Sequence, residues 1–354
     1  MAVAARSAPP VRDRSIDVLK TIAIFGVLTI HAAAPGTTQY PLGSAGWVAS
    51  VLWGSVIRFA VPVFFLCSGA LLLRPEKEIT LRALYGKYLL RIVLALFFWA
   101  AAYEAFDLVI AALRGEFTPA LIAPAVKRLI LFDHHFHLYF LHIMLLVYAL
   151  LPLTRLLARH MDKTTYRYAL ALFLLLAVVY PFLLPHWPFA LLQGIPRQYA
   201  VNLTFGAVGY TLMGDYLQRH ATRRRAPYAV LFLAGLGLTI FLTIALSLRH
   251  GAFYAGAWEG MSPGVAMMAC GLFGLVRACP GLTRRLGFAT AIAKASFCIY
   301  LVHDFFNILF RAAGWTLGAL PGLAIPAQVL CNLGLSFLVY LVLRRIPFVR
   351  TYLL

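Results

Sequence analysis

Residues 14–31, RSIDVLKTIAIFGVLTIH, hold the reading on which the fold turns: a long apolar run that nevertheless carries Lys20 and His31. Eleven residues separate the two. At about 100° per residue they fall within roughly 20° of each other on one helix face, about 16 Å apart along the axis. Apolar runs of similar length recur at 47–73, 88–113, 136–154, 168–185, 198–217, 228–248, 261–279, 289–311 and 323–343. Each is long enough to cross a hydrocarbon core about 30 Å thick as a helix. With 62% hydrophobic and 12% charged residues among 354, the chain is too apolar for a soluble globule. The expected fold class is therefore all-α, a polytopic membrane protein of about ten transmembrane helices. One membrane-embedded domain, 1–354, leaves no room for a soluble one.

The formal net charge of +19 suggests a nucleic-acid partner only until its distribution is read. Basic residues concentrate in alternate connections: Arg74, Lys77, Arg82 and Lys87; Arg155, Arg159 and Lys163; Arg219, Arg223, Arg224 and Arg225; Arg284 and Arg285. This is the positive-inside pattern, so the bilayer is the partner and no nucleic acid is expected. Arg6, Arg12 and Arg14 precede the first span and Arg344, Arg345 and Arg350 follow the last, which places both termini in the cytoplasm. Lys127 and Arg128 are the main exception. Prolines such as Pro35, Pro41, Pro185, Pro196 and Pro263 mark the outer connections. The first run carries Asp17, Lys20 and His31 without a convincing cleavage site, and reads as a retained span. Cys67, Cys270, Cys279, Cys298 and Cys331 have no CxxC spacing and read as small hydrophobes.

Charges inside a span cost a few kcal/mol each on insertion scales and mark protein interiors or water-filled cavities. Lys20, near the cytoplasmic end, suits a phosphate-bearing donor such as coenzyme A, and His31 lies about an extended pantetheine arm away. The bland reading is a snorkelling lysine and a histidine bonded between helices. Arg58 cannot lose its charge and needs an anionic partner, permanent or brought by substrate. Arg74, Arg82, Lys87 and Arg91 form a basic inner cluster suited to phosphates, or are ordinary positive-inside residues. Glu104 and Asp107 share a face of the third span and are candidates to bond acceptor hydroxyls or to pair with Arg58, with interfacial solvation as the alternative. His134, His135, His137 and His142 cluster where the fourth span begins. They invite a metal reading, yet the first span offers no carboxylate at suitable depth. His303 and Asp304 lie at depth in the ninth span, for packing or for chemistry. Trp47, Trp187, Tyr254, Trp258 and Trp315 suit an interfacial belt better than sugar stacking.

Taken in order, IDVLKTIAIFGVLTIH, VPVFFLCSGALLL, HLYFLHIMLLVYALLP (137–152) and SFCIYLVHDFF (296–306) resemble the acyltransferase-3 family of membrane O-acyltransferases. The likeness runs from the first span to the ninth. It implies transfer of an acyl group, usually acetyl from cytoplasmic acetyl-CoA, to a hydroxyl of a cell-surface polysaccharide or lipid-linked glycan in the bacterial inner membrane. His31 is then the essential residue, with Arg58 and His137 as further catalytic candidates. Lys20, Arg74, Arg82, Lys87 and Arg91 would bind the donor, Glu104 and Asp107 the acceptor. The resemblance implies no metal. The family usually has arginine where this chain has Lys20, which keeps the charge and loses bidentate geometry. Tyr139 likewise replaces a more usual tryptophan. The form RFAVPVFF from Arg58 resembles the branch that acetylates enterobacterial common antigen.

The chemistry is consistent with that likeness. A sugar hydroxyl needs a base of near-neutral pKa, and the developing oxyanion a donor. Direct transfer is expected, with an acyl-histidine intermediate as the alternative. The competing class is a transporter or flippase whose path is lined by Lys20, Arg58 and His31; the missing internal repeat speaks against it. The oligomeric state is not readable.

Overall fold

The computed structural model describes residues 12–133, 135–186, 188–191, 202–315, 318 and 320–354. It is 81% helical, without strands among those residues. Arg6, His134, Trp187 and Pro196 lie outside them.

Helix α1, Arg14–Ala33, begins where Asp13 caps it, its carboxylate accepting from Ser15 N–H. The second expected span is broken into α2, Ala45–Val56, and α3, Ala60–Leu72. Then come α4, Leu81–Leu113, which includes a π-helical stretch at Leu84–Leu89, and the short α5, Ile122–Ile130. The fourth span is α6, Tyr139–Ala149, bent by 55° against α7, Leu151–His160. The rest are α8 (Lys163–Leu183), α9 (Leu203–His220), α10 (Ala226–His250), α11 (Pro263–Arg277), α12 (Gly287–Ala312) and α13 (Pro321–Leu343), closed by α14 (Pro347–Tyr352).

Among the described residues eight helices are long and apolar enough to cross a membrane, or nine if the bent pair is one span. The expectation of about ten differs at 198–217. There α9 is short and carries Asp215 and Arg219, which bond each other. Position follows composition. Helix α1, with 72% of its apolar window buried, packs against α3, α12 and α13 at the centre. Helix α10, with 17%, is peripheral and turns Leu233, Phe241 and Leu248 outward. Its outer surface is apolar because the solvent it meets is lipid. The chain is an all-α, multi-pass membrane protein.

Close crossings without side chains set the inner spacing. A Cβ on Gly69 of α3 would run into the Thr211 backbone carbonyl of α9, and one on Gly214 into that of Leu66. Small residues that let backbones touch are the usual means of helix association in lipid. At the end of the bundle where the chain begins, Asp13 accepts from Arg74, Gln218 and Arg277 at 3.0–3.1 Å, tying α1 to α9, α11 and the end of α3. Burial opposes ionisation of Asp13, but Arg277, Gln218, Arg74 and the Ser15 N–H outweigh it and hold the carboxyl below its ordinary value.

Candidate functional site

Two cavities are threaded along one face of α1. The first, about 270 Å³, carries Lys20 and Arg91 among apolar and aromatic walls. The second, about 450 Å³, holds His31, Arg58, His137, Tyr139, Trp258 and Glu259. Val27, Val61, Phe140 and Tyr300 line both, so the cavities meet back to back. Val27 lies between Lys20 and His31 on α1, seven residues beyond the first and four before the second. The helical period puts all three on one track.

His31 sits half-buried in the last turn of α1. Its ring lies edge-on to Phe136, with centroids 5.3 Å apart, and 4.9 Å from the ring of His303. Arg58 occupies the break between α2 and α3, which is why it reaches a cavity rather than lipid: irregular backbone at membrane depth survives where it lines one. Its guanidinium carbon lies 4.1 Å from the centroid of the Trp258 ring. Trp258 is itself held by an indole N–H donated to Ser55 Oγ at 2.9 Å. The buried Arg58 Nε has no hydrogen-bond acceptor among the described residues. Glu259, on the same cavity wall, supplies an opposing charge.

The acidic pair of the third span takes other partners than Arg58. Glu104 binds Arg128 at 2.5 Å, which gives one of the two exceptions to the basic pattern an acidic partner. Asp107 binds His135 Nε2 at 3.0 Å. Neither lines the two cavities. A pairing of either with Arg58, one of the sequence expectations, is replaced by these nearer cations.

Of the expected basic cluster, Lys20 and Arg91 face one cavity, with Arg91 over the Phe297 ring at 5.6 Å. Arg82 and Lys87 are exposed and line neither cavity. Arg74 is engaged by Asp13 and by the Ala70 carbonyl. It borders a separate cavity with Lys77 and Arg219.

Behind His31 lies a buried polar layer from α12 and α13. His303 is fully buried, its Nδ1 bonded to the Tyr300 carbonyl at 2.6 Å. Asn307 donates to Asp304 Oδ1, and Asn332 to Asn307 and to the His303 carbonyl. The Tyr300 hydroxyl donates to the His137 carbonyl, fixing the start of α6 against α12. Sequence reasoning passed over Tyr300 and Glu259. The usable signal for Glu259 was an acid beside an interfacial tryptophan in a chain with only 12 acidic residues. Tyr300 had none, since an aromatic within an apolar run is ordinary.

A multi-pass helical protein with a histidine and an arginine converging on an internal cavity, joined to a second cavity of basic character, has the parts of a membrane group-transfer enzyme. The model of the family described as "Acyltransferase domain", acyltransferase-3, matches residues 13–345, and the chain belongs to that family. It is a membrane acyltransferase. No curated protein and no solved structure matches it.

Proposed function

We propose that the protein transfers an acetyl group from cytoplasmic acetyl-CoA to a hydroxyl of a cell-surface polysaccharide or lipid-linked glycan, in the bacterial inner membrane. The observation that carries this reading is the meeting of the two cavities at Val27, Val61, Phe140 and Tyr300, with cations in the first and His31 in the second. Lys20 and Arg91 bind donor phosphates, and the thin arm of the donor lies between the shared residues so that its thioester reaches His31. The acceptor enters beside Trp258 and Glu259.

His31 takes the hydroxyl proton as the oxygen attacks the thioester carbonyl. The negative charge that develops on the carbonyl oxygen falls to the guanidinium of Arg58, which lines the same cavity. When the C–S bond breaks, the thiolate of coenzyme A leaves and takes the proton back from His31. A base is needed on no other group, so direct transfer suffices. His137 lines the same cavity and supports the segment that His31 faces.

The test compares the O-acetyl content of surface glycans from a deletion strain complemented with wild type or with His31→Ala at equal membrane levels. Acetyl restored by wild type alone is the expected result, with a loss of about 10²-fold or more for the variant. Normal acetylation by a folded His31→Ala protein overturns the mechanism. Loss of glycan export with acetylation intact favours a transporter.

A further inference from the structure

His135, His137 and Asp304 each present a ligand atom, and these atoms all lie within 4.8 Å of one another. From this juxtaposition we infer a binding site for a divalent transition-metal ion, zinc by the chemistry of two imidazoles and a carboxylate. The carboxylate that the sequence reading sought in the first span comes instead from the ninth.

Three observations support the site. His137 is fully buried, and neither of its ring nitrogens has a hydrogen-bond partner among the described residues. Its Nδ1 lies 3.8 Å from Asp304 Oδ2, too long for a hydrogen bond. Leaving an imidazole nitrogen unpaired in a dry interior is costly, and an ion between Nδ1 and Asp304 removes that cost for the nitrogen it binds.

The second observation is that the outer partners are already in place. Asp107 Oδ2 lies 3.0 Å from His135 Nε2 and accepts its N–H in the tautomer that frees Nδ1 for an ion, and Asn307 donates to Asp304 Oδ1 at 3.1 Å. Carboxylates and amides that orient ligating groups from behind are the usual support of a metal site. Third, the two elements that supply the ligands are fixed to each other by the Tyr300 hydroxyl on the His137 carbonyl. Tetrahedral zinc bonds of about 2.0–2.1 Å place ligand atoms about 3.3 Å apart, so the three side chains close by about an ångström on binding. The ion holds the start of α6 against α12 and so fixes one wall of the His31 cavity; it is a positioning site. It does not rest on the acyl-transfer reading, because its test needs no turnover.

The test uses the full-length protein in detergent, its affinity tag removed, equilibrated with zinc and dialysed. Mass spectrometry of the metal should find about one zinc per chain in wild type and in His186→Ala, a histidine remote from the cluster. Asp304→Asn and His135→Ala should each lower that occupancy at least about ten-fold. X-ray absorption of the wild type, which depends on no variant folding, should show imidazole and oxygen ligands at about 2.0–2.1 Å. Substoichiometric zinc in wild type, equal occupancy in the variants, or a sulfur shell at about 2.3 Å each overturns the site.

Discussion

Residue identity matters most where a charge has no substitute. Arg58 combines a guanidinium over the Trp258 ring with a buried Nε that has no acceptor among the described residues, on a cavity it shares with His31. Lysine keeps the charge but neither the plane nor that donor. Arg58→Lys should therefore lower kcat for acetyl transfer by about 10²-fold with little change in KM for acetyl-CoA, measured in membrane vesicles with a fixed acceptor. Lys20 is expected to behave in the opposite way. Lys20→Ala should raise KM for acetyl-CoA with kcat nearly unchanged, and Lys20→Arg should restore it, since a phosphate accepts either cation. Equal damage from both Lys20 variants would count against phosphate binding. Arg82 and Lys87, exposed away from both cavities, should tolerate alanine in the same assay.

Between helices, small residues set distances that no polar contact sets. The α3–α9 crossing has Gly69 and Gly214 against backbone carbonyls, so even one methyl group forces the helices apart. Gly214→Ala should destabilise by about 1–3 kcal/mol, read as a lower midpoint of thermal unfolding in detergent. Gly237 of α10 has open space where its Cβ would be, and Gly237→Ala should leave the midpoint unchanged or slightly higher. A fall of equal size in both would show that helix propensity, not the crossing, governs. The same close approach explains why α9 can be short and polar at one end. Its Asp215 accepts from Arg219 and Tyr166.

For the molecule as a whole, Asp13 is the knot that gathers α1, α9, α11 and the end of α3. Its carboxyl is held below its ordinary value, so its contribution to stability is fully present above the unfolded value of about 3.9. That contribution is lost as the pH falls through the lowered folded value. Asp13→Asn should be less stable than wild type at neutral pH, with the gap closing as the solution is acidified through that range. A constant gap down to low pH would assign the loss to shape rather than charge. The termini offer a second test at this scale. Reporter fusions at each end should both report the cytoplasm, as the basic flanks Arg12, Arg14, Arg344 and Arg345 require. Opposite sides would mean an odd number of spans.

Much of the architecture is written locally. Hydropathy over about 20 residues decides whether a segment enters the bilayer, and the helical period alone put Lys20 and His31 on one face. Among the described residues a helix lies within each of the ten expected stretches, and the catalytic candidate at the end of the first lines a cavity. The partners of the charges are another matter. Glu104 with Arg128, Asp107 with His135 and His137 near Asp304 join residues on different segments of the chain, the last pair 167 positions apart by their numbers. Desolvation makes each buried charge seek the nearest counter-charge in space, and nearness is settled by how helices pack, which local composition does not encode. Arg58 shows both levels at once: its charge in an apolar run marked it in the sequence, but only the break between α2 and α3 and the contact with Trp258 decided that it lines the cavity of His31.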